Sequence, residues 1–163
     1  MATLSAWKFD SADGAAEATD KLENLIKASL IEVYDAAIVT WPEGKKKPRT
    51  HQLNHLAAGG SLSGLFWGLL FGLIFFVPLI GAAIGAALGA MTGALVDTGI
   101  DDEFMDSVRE QVTPGTSALF LLSDNAVVDK VSEAFEGSHP HLVSTNLSDE
   151  EEAKLREAFG DDD

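Results

Sequence analysis

The residues most able to do chemistry lie in Ala94-Leu95-Val96-Asp97-Thr98-Gly99-Ile100. An Asp-Thr-Gly order is the kind in which two aspartates, one from each of two copies, share a proton in aspartic-protease catalysis. That chemistry needs the motif at the end of a strand, and here it follows a Gly/Ala-rich helical stretch. Gly99 as a helix-terminating residue and Asp101 as the cap of the next helix account for it without catalysis. His51 and His55 are four apart, a spacing metals use, but no glutamate stands between them in the His-Glu-x-x-His order and no third ligand is evident. His139 and His141 flank Pro140 in a turn. No Gly-Lys-Ser/Thr loop is present, so no phosphate cradle is expected, and the lack of cysteine removes thiolate sites and disulfides. Trp7, Trp41 and Trp67 read as core or membrane-interface side chains. The chain therefore reads as non-enzymatic, with no catalytic, cofactor-binding or metal residues and no cofactor.

The elements around these residues suggest two strand-helix-strand units. Thr3 to Phe9 reads as a strand, and Asp13 can cap a helix over about 14–28, where Ala15, Ala18, Leu22, Leu25 and Ile26 recur at helical spacing. A strand follows at Ile31 to Trp41, then a turn at Pro42 to Lys46, and Arg49 to Leu53 returns as a short strand or leads into the next segment. In the second half, Asp101 opens an acidic helix to about Val112 and Pro114-Gly115 turns the chain into an apolar strand, Ser117 to Leu122. Asp124 starts a helix with Val127, Val128, Val131 and Phe135 on one stripe. Leu142 to Asn146 is another strand, and Ser148 with Glu151 forms a capping box for a last helix carrying Leu155 and Phe159. The expected fold is α+β and ferredoxin-like. Residues 1–53 supply its first half, 97–160 its second, and 161–163 an acidic tail.

Between the halves, residues 50–96 contain no Asp, Glu, Lys or Arg. Glycines recur every fourth residue at Gly60, Gly64, Gly68 and Gly72, and after Pro78 at Gly81, Gly85, Gly89 and Gly93. Each half of residues 57–96 is long enough, as a helix, to cross the ~30 Å hydrocarbon core of a bilayer. Interior glycines cost roughly 1 kcal/mol each in a water-exposed helix, a cost offset in lipid where small residues let helices pack closely. The expectation is a transmembrane hairpin whose eight glycines mediate helix packing and homo-oligomerisation. Charge placement fits it: residues 1–44 carry −5, the run Lys45, Lys46, Lys47 and Arg49 carries +4, and residues 97–163 carry −14. The basic run should stay cytoplasmic and touch lipid headgroups. No secretory signal is visible at Met1 to Lys8, so both termini are expected to be cytoplasmic, with the protein in the cell membrane. The net charge of −15 argues against nucleic acid.

Thr50-His51-Gln52-Leu53 before the glycine-rich segment, Asp97 to Asp102 after it, Pro114 to Phe120 and Leu147 to Glu150 together resemble the bacterial and archaeal domain-of-unknown-function 1269 family over nearly the whole chain. That resemblance implies a membrane protein and assigns no activity. Three readings follow: a membrane-anchored homo-oligomer presenting acidic α+β domains as a scaffold or sensor; a glycine-zipper pore; and a soluble oligomeric ligand-binding protein.

Overall fold

The computed structural model describes residues 2–53, 64–76, 99–100 and 102–159. Its frame is a five-stranded antiparallel sheet in the order β3-β2-β4-β1-β5, made of β1 (Ala2–Phe9), β2 (Asp35–Trp41), β3 (Arg49–Gln52), β4 (Thr116–Asp124) and β5 (His141–Leu147). β4 lies at the centre and is buried along all but its last residue. A strand covered on both faces shows no polar alternation, which is why Ala118 to Leu122 is continuously apolar. Its register aligns Leu122 with Leu4 of β1 and Asp35 of β2, and Ser117 with Phe9 and Thr40.

The units β1–α1–β2 and β4–α4–β5 interleave, so that β4 sits between β1 and β2 and β1 between β4 and β5. This split arrangement is the one expected from the two strand-helix-strand units. α1 (Gly14–Lys27) and α4 (Asn125–Ala134) cover one face. There Trp7, Phe9, Leu22, Leu119, Leu121, Val131 and Phe135 form one core, with Phe135 edge-on to both Trp7 and Phe9 at 5.5 and 5.8 Å. The opposite face carries α2 (Gly64–Phe71), a π turn (Gly72–Phe76), α3 (Asp102–Gln111) and Leu155 of α5 (Asp149–Phe159).

This second core corrects the membrane expectation. Phe66, Trp67, Leu69, Leu70, Phe71, Ile74 and Phe75, the described part of the proposed first span, are buried in the same cluster as Leu4, Val39, Phe120 and Leu122 of the sheet. Phe71 stands edge-on to Phe120 at 5.0 Å and Trp67 does so at 6.4 Å. Among the described residues no helix is long and apolar enough to cross a membrane. A helix apolar all round belongs in a membrane or in a core, and α2 is in the core. The transmembrane hairpin, the membrane anchor, the pore, the lipid partnership and the cell-membrane location with cytoplasmic termini all depended on such a span and are set aside. Gly60, Gly81, Gly85, Gly89 and Gly93 lie outside the described residues. Gly64 opens α2, and a Cβ at Gly68 or Gly72 would meet no described atom within 4 Å.

Two local expectations also change. β2 begins at Asp35, because Ser29 takes a left-handed φ of +60° and residues 30–34 run as a loop that buries Ile31 and Val33. Asp13 makes no side-chain cap on α1. The hydroxyl of Ser117 on β4 instead accepts from the backbone N–H of Ala15 at 2.9 Å and donates to the carbonyl of Ser11 at 2.7 Å. The caps expected at Asp124 and at Ser148 with Glu151 are present.

Candidate functional site

The residues singled out for chemistry are scattered. His51 lies exposed on edge strand β3, and His55 is outside the described residues. His139 takes a left-handed turn conformation with φ +48°, and His141 opens β5 opposite Lys8. Asp97, Thr98 and Asp101 are outside the described residues. Gly99 is described: its φ is +88°, and a Cβ there would come within 2.6 Å of a carboxylate oxygen of Glu151. The positive φ is the constraint that favours glycine there, since the Glu151 carboxylate is the far end of a flexible side chain. Among the described residues no three His, Cys, Asp or Glu side chains gather as a metal site would require. Lys45, Lys46, Lys47 and Arg49 form the exposed turn and first residue of the β2–β3 hairpin.

The structure reveals polar anchors that the sequence reading missed. Asp35 is fully buried at the start of β2. Its Oδ2 accepts from the indole N–H of Trp67 at 2.9 Å and from the Gln52 amide at 3.2 Å, while Oδ1 accepts from the N–H of Ala36 at 2.9 Å. A carboxyl group in a core is tolerated only when donors surround it, and here they tie α2 to β2 and β3. The available signal was a lone acid inside Val33-Tyr34-Asp35-Ala36-Ala37-Ile38-Val39. Arg109 of α3 secures the other end of the apolar element: its Nε and Nη2 donate to the carbonyls of Ile74 and Leu73 at 2.8 and 2.9 Å. Elsewhere the Lys8 ammonium, 2.6 Å from Asp10, holds that carboxyl below its ordinary range by hydrogen bond and charge.

A concave site lies on the α1/α4 face. The C-terminal turn of α1 closes on Ala28 and Ser29, and the N–H of Leu30 reaches back to the carbonyl of Leu25 at 3.0 Å. That left-handed turn projects Leu30 outward, 57% exposed, while Ile31 returns to the core. Leu25, Leu30, Ile31 and Ala134 then line an apolar hollow of about 340 Å³, with Lys130 and Glu133 of α4 at its rim. A second hollow of about 620 Å³ shares Leu30, Ile31 and Lys130 and extends past Tyr34 to Asp124 at the start of α4. Lys130 Nζ bridges the groove by donating to the Leu30 carbonyl at 3.3 Å. An apolar floor with a few polar groups at its edge is how binding sites for small molecules are built.

A family model described as "Protein of unknown function (DUF1269)" matches residues 61–160, more than half the chain. The chain belongs to that family. No curated protein and no solved structure matches it. The DUF1269 span carries β4 and β5 but not β1, the strand that lies between them, so the family region shares its sheet with residues 2–53.

Proposed function

We propose that the chain is a non-catalytic binding protein that takes a small, largely apolar ligand in the groove between α1 and α4. The observation that carries this reading is the pair of adjoining hollows built around Leu30, an exposed leucine held out by a left-handed turn. An exposed leucine at a concave apolar surface offers a ligand apolar area to bury, at roughly 25 cal/mol for each Å² removed from water. Lys130 provides an ammonium at the rim for a ligand carrying an anionic or hydrogen-bond-accepting end. Of the three readings drawn from the sequence, ligand binding is the one that needs no membrane-spanning helix.

Anilinonaphthalene sulfonate, an apolar body with one anionic group, tests the site. The wild-type chain should bind it saturably. Ala134→Trp, which fills the first hollow, should weaken binding by at least about tenfold, equivalent to ~1.4 kcal/mol, with the cooperative urea unfolding transition retained. Leu30→Ser should weaken it by a smaller factor. Wild-type affinity in both folded variants would overturn the assignment.

A further inference from the structure

We infer that the β2–β3 hairpin is a docking surface for the acidic first turn of α5 on a second copy of this chain. The chain has 26 acidic and 11 basic side chains, and the ten cations other than Arg156, whose side chain lies outside the described ones, are used in two distinct ways. Lys8, Lys27, Lys154 and Arg109 pair with Asp10, Glu23, Glu150 and Asp106. Lys21 and Lys130 donate to Ser138 and to the Leu30 carbonyl. The side chains of Lys45, Lys46, Lys47 and Arg49 hold no ion pair or hydrogen bond among the described residues, and all four are exposed on one hairpin. The hairpin itself is well fixed: the Trp41 indole donates to the Lys45 carbonyl at 2.9 Å, and Gly115 N–H donates to the Trp41 carbonyl at 2.7 Å. The four charges therefore stand on an ordered support, offset only by Glu43 in the same turn.

The complementary surface is Asp149, Glu150, Glu151 and Glu152, in the first turn of α5. Strand register places it far from the hairpin. Trp41 pairs with Thr116 at one end of the sheet, whereas α5 follows Leu147, which pairs with Ala2 at the other end, and β3 and β5 are opposite edges. With strands ~4.8 Å apart and ~3.3 Å per residue, the two corners of one molecule are roughly 30 Å apart. They cannot meet within a chain. Between chains they can, because salt at physiological strength screens charge beyond ~8 Å, so the facing patches outweigh the overall negative charge. One corner on the opposite corner of the next copy is a head-to-tail contact, which extends into rings or filaments.

The test measures mass by sedimentation of the full chain at low salt and at ~1 M salt, where the screening length is ~3 Å. Wild type should self-associate at low salt and dissociate at high salt. A hairpin variant carrying Lys45→Glu, Lys46→Glu, Lys47→Glu and Arg49→Glu, and a helix variant carrying Asp149→Asn, Glu150→Gln and Glu152→Gln, which leaves the Glu151 cap intact, should each be monomeric, with dissociation constants raised by at least about tenfold. Mixed together, they retain one working hairpin and one working helix, so they should form a 1:1 dimer that grows no further. A monomeric wild type at low salt, association retained by either variant alone, or a mixture that stays monomeric would overturn the proposal. Retention of monomeric wild type on an immobilised polyanion would do so too, by assigning the hairpin to a different partner.

Discussion

Asp35 is the residue on which the apolar layer depends. Its carboxyl receives three donors beside an otherwise apolar core. Removing an acceptor from buried donors costs their desolvation, ~1–3 kcal/mol for each unsatisfied group. Asp35→Ala should therefore destabilise the fold by about 3 kcal/mol, read as a lowered urea midpoint with an unchanged slope. It should cost more than Trp67→Phe, which removes one donor and keeps an aromatic ring against Phe120. A destabilisation below about 1 kcal/mol for Asp35→Ala would show that the anchor is dispensable. Arg109 complements it at the far end of the layer, where its guanidinium donates to two carbonyls of the π turn, those of Leu73 and Ile74.

At the level of elements, α1 gives the sharpest contrast between a local rule and the fold. Asp13 stands where a capping residue belongs, yet the cap is supplied by Ser117, a residue 102 positions away from Ala15. Ser117→Ala should cost about 1 kcal/mol, as loss of a helix cap does, and Asp13→Ala should cost no more than a few tenths, both measured by thermal or urea denaturation. The reverse ranking would restore the local cap. This difference marks what the sequence could convey. Apolar patterning, helical spacing and capping residues located β1, β4, β5 and the helices α1, α3, α4 and α5, while β2 was placed four residues too early and β3 was left open between a strand and a lead into the apolar insert. The apolar insert was misread because local composition is the same for a helix surrounded by lipid and one enclosed by a sheet and its neighbours. The groove was invisible for a different reason. It depends on the left-handed turn at Ser29 bringing residues 25–31 beside 130–134, and no local pattern encodes that approach.

For the whole molecule, the sheet has two differently used faces. One is sealed by α2, the π turn, α3 and Leu155; the other carries α1 and α4, with the hollow between them left open. A binding protein needs α2 as a layer of its own core, whereas an anchor would need it in lipid. Trp67, 2% exposed in the structure, reports directly on which is true. In a Trp7→Phe, Trp41→Phe background Trp67 is the single fluorophore, and its emission can be compared in vesicles of ordinary and brominated phospholipid. The account predicts equal intensity in both, because the indole is enclosed by Phe66, Phe71 and Phe120 and bonded to Asp35. Strong quenching by the brominated chains would place Trp67 in the bilayer and contradict it.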